Sequence, residues 1–124
     1  MTAQGFINQG AYAPDNLLGG EFPRVARFVT IASGTNLVMG SVLGKITANS
    51  KYKLSASASA DGSEIPDVIL AEDTDATLND KQAAVYFSGE FNELALTFGP
   101  GITANSARDG LRDKSILLTK NQGA

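Results

Sequence analysis

Residues 22–36 read FPRVARFVTIASGTN, and this stretch decides the fold class. It is rich in β-branched and aromatic residues. Val25, Arg27, Val29 and Ile31 alternate with Arg24, Ala26, Phe28 and Thr30, the pattern of a strand with two contacting faces. Residues 33–36 form a turn by composition. The rhythm continues with SVLGKIT (41–47), a turn at 48–51, and YKLSASA (52–58). In the last of these, Tyr52, Leu54, Ala56 and Ala58 share one side and Lys53, Ser55 and Ser57 the other. Asp61-Gly62 marks a tight turn. DVILAEDT (67–74) reads as a buried strand, DATLND (75–80) as a polar loop, and AAVYFSGE (83–90) as a strand ended by Gly89. FNELALTFGPG (91–101) is a short element stopped by Gly99, Pro100 and Gly101. Turn signals recur about every ten residues, which predicts a small antiparallel β barrel or sandwich rather than βαβ units.

TANSARDGLRDK (103–114) is the one helix candidate. Thr103 suits its N-cap, and Ala104, Ala107 and Leu111 share a face. Gly110 weakens this helix by up to about 1 kcal/mol relative to Ala. SILLT (115–119) closes the chain as a final strand. Ahead of Phe22 the character differs. Residues 1–20 carry one charge, Asp15, and scatter Phe6, Ile7, Tyr12, Leu17 and Leu18 among glycines and neutral polar residues. No strand or helix period persists there. The segment reads as a flexible arm, and a segment that orders on a partner is the sharper expectation.

Length and composition limit the chemistry. A chain of 124 residues makes one domain with a modest core. Cysteine, histidine and tryptophan are absent, which removes thiolate nucleophiles, disulfides, the usual neutral-pH base and the commonest transition-metal ligands. Apolar runs are far shorter than the roughly 20 residues of a membrane span. No secretory signal is expected. A net charge of −3 argues against general nucleic-acid binding.

The motif tests come out negative. GSVLGK (40–45) has three residues between its glycines instead of four, Ile46 follows the lysine, and the stretch reads as a strand, so no phosphate loop is expected. Gly40 and Gly44 read instead as a turn and a close backbone contact. Asp73, Asp75 and Thr77 imitate the start of an EF-hand loop, but Leu78 replaces the required Gly and Ala84 the bidentate Glu. Seven acids and no bases lie from Asp61 to Asp80, mostly at turns and strand ends, the pattern of a solvated face. No serine sits in a nucleophile elbow or a Ser-x-x-Lys pair. The Tyr and Phe positions alternate within strands and read as core rather than base-stacking platforms.

The runs NLLGGEFPRVARFVTIASGTNLVMGSVLGKIT, DGSEIPDVILAEDTDA, VYFSGEFNELALTFG and RDGLRDKSILL, in this order, resemble the lambda-type head decoration proteins of tailed bacteriophages. The resemblance covers residues 14–119, and residues 1–13 match no pattern of that family. It implies a mainly β, compact β-clip-like barrel with one short helix near the C-terminus. It also implies an N-terminal arm (1–20) ahead of a decoration domain (21–124). The implied role is non-enzymatic: homotrimers clamp three-fold and quasi-three-fold sites of the expanded head against the pressure of packaged DNA. The partner is then the major capsid protein, and the location the outer surface of the virion head after synthesis in the host cytoplasm. No cofactor, metal, membrane or direct nucleic-acid contact is implied. Phe6, Ile7, Tyr12, Pro14, Leu17 and Leu18 are the candidate capsid contacts of the arm. Two alternatives remain at this point: a tail or adsorption protein binding a host surface, and a trimeric β-clip nucleotide hydrolase. The second needs a Tyr- and Asp-bearing nucleotide motif, which is not found around Tyr12, Tyr52 or Tyr86.

Overall fold

A computed structural model of the chain describes residues 23–120. Its strands are β1 (Val25–Ile31), β2 (Thr35–Leu37), β3 (Val42–Lys45), β4 (Tyr52–Leu54), β5 (Pro66–Leu70), β6 (Thr74–Ala76), β7 (Lys81–Asn92) and β8 (Ile116–Thr119). A 3₁₀ turn (Glu93–Ala95) and one helix, α1 (Ala104–Arg112), lie between β7 and β8. The strand order is β1-β4-β3-β5-β7-β8, and a further β1–β7 pairing closes β1, β4, β3, β5 and β7 into a five-stranded barrel. β8 lies outside it, on β7. The expected barrel is therefore present, but not wholly antiparallel, because β1–β4 and β7–β8 pair in parallel.

Side-chain alternation sorts the apolar residues into two cores. Ile31, Leu43, Tyr52, Val68, Leu70, Ala83 and Val85 point into the barrel. Leu37 of β2 and Ala76 of β6 join them, because the β2–β6 ribbon sits where β1 and β5 end and β3 and β7 begin. The opposite faces of β3 and β5 carry Val42 and Ile69, which pack under Phe91, Ala107, Leu111, Ile116 and Leu118. β3 and β5 are thus buried on both sides, which is why their sequences run apolar instead of alternating.

The helix matches expectation closely. The Thr103 hydroxyl accepts from the Ser106 amide, and the Ser106 hydroxyl accepts from the Thr103 amide, a reciprocal cap at the N-terminus. Ala107 and Leu111 are buried.

Four local expectations are corrected. YKLSASA leaves the sheet after Leu54: the Ser55 amide makes a last bond to Val42 of β3, and the Ser57 amide donates to Pro100, which draws the chain towards the 99–101 loop. DVILAEDT splits after Leu70, and residues 74–76 turn away to pair with β2. Thr35, Asn36, Asp75 and Ala76, expected in turns and loops, therefore form the β2–β6 ribbon. Gly89 does not end its strand. β7 runs on to Asn92, and from Gly89 onward it pairs with β8. With φ at +149°, Gly89 takes a backbone conformation that disfavours a side chain, and a Cβ there would meet the Phe91 ring. The reading of Gly44 as a close backbone contact holds: a Cβ at that position would overlap the Ser63 carbonyl.

Candidate functional site

The acidic stretch was the first place to look for chemistry, and its side chains are occupied in holding turns. Asp61 Oδ1 accepts from the amide (3.0 Å) and hydroxyl (2.6 Å) of Ser63, and Oδ2 pairs with Lys53 at 3.0 Å. The Ser63 hydroxyl, then its amide, then Lys53 hold the Asp61 carboxyl well below the usual carboxylate range. Glu64 accepts from the Gly62 amide, and Asp75 from the amide and hydroxyl of Thr77. Asp73 accepts from the Met39 amide at 2.7 Å and Glu72 from the Ala84 amide at 2.8 Å. Asp80 accepts from the Ser33 amide at 2.9 Å and pairs with Lys51. The stretch is more than a solvated face, since its carboxylates stitch one turn to the next. Among the described residues no three acids gather to hold a metal ion.

An open cleft of about 300 Å³ is lined by Lys45, Thr47, Ser50, Ile65, Asp67 and Lys114. Its carboxylate is already engaged. Asp67 faces Lys114 at 3.9 Å and accepts from the Tyr52 hydroxyl. Burial first, and then Asp67, push the Tyr52 phenol upward. The arrangement offers charge pairing between Asp67 and Lys114. The glycines of GSVLGK lead into strand β3 rather than a helix, so the geometry of a phosphate loop is not formed.

The surface that stands out is the first half of β1. Residues 25–28 are exposed on both faces, whereas Ile31 is fully buried. Phe28 is 72% exposed and Phe87, on neighbouring β7, 39%. Both correct the expectation that the aromatic positions are core. Phe28 stands on the outer face opposite Ala84. Sequence reasoning missed this surface because alternation alone makes β1 look buried on two sides. The available signal was Arg27, which falls on the same face as Val29 and Ile31, where a barrel lining admits no charge.

The candidate arm contacts Phe6, Ile7, Tyr12, Pro14, Leu17 and Leu18 lie outside the described residues. At the start of the described residues, the Pro23 carbonyl accepts from the Ser88 hydroxyl at 3.0 Å. The Val25 amide donates to the same hydroxyl at 3.1 Å. Residues 23–25 are thereby tied to β7.

No curated protein matches the chain. The family model for bacteriophage lambda head decoration protein D matches residues 6–116. That match begins within residues 1–13, where the sequence reading found no family pattern, and ends at Ile116 rather than at residue 119. Because it takes in part of the arm, the whole barrel and α1, the chain belongs to the bacteriophage lambda head decoration protein D family, whose members are structural components of the phage capsid.

Proposed function

We propose that the protein is a cement for the phage head. Three copies associate and sit on the outer surface at three-fold and quasi-three-fold positions of the expanded shell. There they hold neighbouring major capsid subunits against the pressure of packaged DNA, without catalysing a reaction. Residues 21–124 act as the trimeric decoration body, and residues 1–20 as the arm that grips the shell. The observation that carries this reading is the family match, which spans both arm and barrel. A closed three-fold assembly also adds buried surface to a modest core. Many copies per shell multiply weak individual contacts into a firm clamp.

The test is to mix purified protein with expanded, undecorated heads. Mass per shell rises, and the heads gain resistance to heat and chelator. The solution mass is that of a trimer. Deleting residues 1–13 leaves folding and the trimer intact and weakens head binding. Unchanged shell mass, or a monomer in solution, refutes the proposal.

A further inference from the structure

From Val25 to Thr30, β1 has a hydrogen-bonded strand on one side only among the described residues. β7 pairs along the whole strand, whereas β4 reaches only Ile31. The direction of the backbone amides follows from one bond. The Ala32 amide donates to the Tyr52 carbonyl of β4 at 2.9 Å. Since amides alternate sides along a strand, those of Thr30, Phe28 and Ala26 point the same way, beyond the reach of β4. They have no acceptor among the described residues. Beside this open edge Phe28 stands opposite Ala84, with Ala26 and Thr30 next to it on the same face of β1 and Tyr86 opposite Ala26. Arg24 and Arg27 flank it, and neither has an ion-pair partner among the described residues.

An open edge of this kind is a template for an added strand, and proteins that do not use one normally blunt it. We propose that the outer edge of β1 binds an extended segment of the shell protein. The segment runs alongside residues 26–30, sets an apolar side chain over Phe28 and brings carboxylates to Arg24 and Arg27. This inference rests on the head-binding reading and names the second contact of that interface, distinct from the arm. Two arguments choose the shell over another copy of the chain. Antiparallel pairing of β1 with the β1 of another copy is isologous and builds two-fold dimers, which do not close a three-fold ring, and head-to-tail pairing of this edge with a different strand of another copy would show as a changed solution mass once the edge is blocked. The chain's own acids from Asp61 to Asp80 are already engaged by amides, hydroxyls and lysines. The point of departure of the arm adds to this. The 22 residues that precede Pro23 end where the open edge begins, so a shell subunit held by the arm is presented to the edge at high local concentration.

The test is Ala26→Pro in the full chain. It deletes one outward amide, at an edge position where proline is tolerated. Solution mass, thermal unfolding and equilibrium binding to expanded, undecorated heads are measured beside the wild type. The expected result is an unchanged mass, a wild-type melting curve and head binding weaker by about tenfold or more. Binding within about twofold of the wild type overturns the inference and leaves the head-binding reading standing. A changed solution mass also overturns it, because the edge is then filled by a second copy. If Ala26→Pro does not fold, Phe28→Ser and Arg27→Glu decide the matter by the same criteria. A wild type that does not bind heads overturns both readings.

Discussion

Gly89→Ala is the substitution that most directly probes how β7 serves two cores. At this residue the strand passes from the barrel wall to its pairing with β8, with φ at +149°. An alanine forced into that region costs about 1–3 kcal/mol in backbone strain. Its Cβ would also lie 2.8 and 2.9 Å from the Cζ and Cε2 atoms of Phe91, and 3.1 Å from the Arg24 Cγ. The Phe91 ring is fully buried, with its centroid 5.3 Å from that of Tyr86, so it has no empty space to swing into. Overpacking of this kind adds about 1–3 kcal/mol. The Arg24 stem is exposed and moves aside at little cost. The two contributions together come to about 2–6 kcal/mol, which in a domain of this size lowers the melting temperature by about 8–48 °C. Urea and thermal unfolding of the wild type, Gly89→Ala, Phe91→Leu and the double variant separate the two. Shortening the ring relieves the steric part and leaves the backbone part, so the double variant is more stable than the sum of the singles by about 1–2 kcal/mol. A single variant within about 0.5 kcal/mol of the wild type refutes the reasoning, and strict additivity refutes the part assigned to Phe91.

Gly44→Ala places a Cβ against the Ser63 carbonyl, which is backbone and cannot turn away. A loss of about 1–3 kcal/mol is expected in urea unfolding, and a neutral result shows that the 61–65 loop yields freely. Gly110→Ala lies within α1 with no atom within 4 Å of the new methyl, and it raises stability by about 0.5–1 kcal/mol. A loss there contradicts the open environment. Acid sensitivity follows from Asp61, Asp75 and Asp80, all held below the ordinary value of 3.8. Their folded forms bind protons less readily than the unfolded chain. The stability they confer is therefore complete above 3.8 and is lost as pH falls through their folded values. The melting temperature stays flat down to about pH 5 and then drops, and Asp61→Asn drops less steeply below that point. An unchanged acid slope in Asp61→Asn removes Asp61 from the account.

The elements that could be read from sequence were those whose cause is local. Thr103 caps α1 because its hydroxyl needs only the Ser106 amide three residues on. The strand at 25–31 is visible because alternation and β-branching lie in consecutive residues. The failures were decided by distant neighbours. YKL continues as SASA with no break in pattern, yet the strand ends at Leu54 because Pro100, more than 40 residues on, takes the Ser57 amide. Asp73 and Glu72 look like the polar exit of a strand, whereas they accept from Met39 and Ala84, 34 and 12 residues away. Gly89 looks like a stop because glycine usually is one, but the strand continues through it by pairing with β8, and the buried Phe91 ring explains why the position is a glycine. Among the functional residues, the composition of the arm could be read, but the open edge could not, because an unpaired edge is a property of topology.

That edge also bears on why β1 carries the residues it does. Val29 and Ile31 pack in the barrel interior beside Ala83 and Val85. Two residues earlier on the same face stands Arg27, so the barrel wall stops short of it. From Val25 to Phe28 the strand contributes little to the cores, with Phe28 still 72% exposed. A monomer gains nothing from an aromatic side chain there and incurs a hazard, since an apolar open edge invites unwanted pairing. Pro23 and the two arginines restrain that hazard without removing it, because no described residue accepts from the amides of Ala26, Phe28 and Thr30. A sequence that keeps Phe28 at such a position, in a family whose members work while bound to a shell, is better explained by a contact made in the assembled head than by the stability of the isolated barrel.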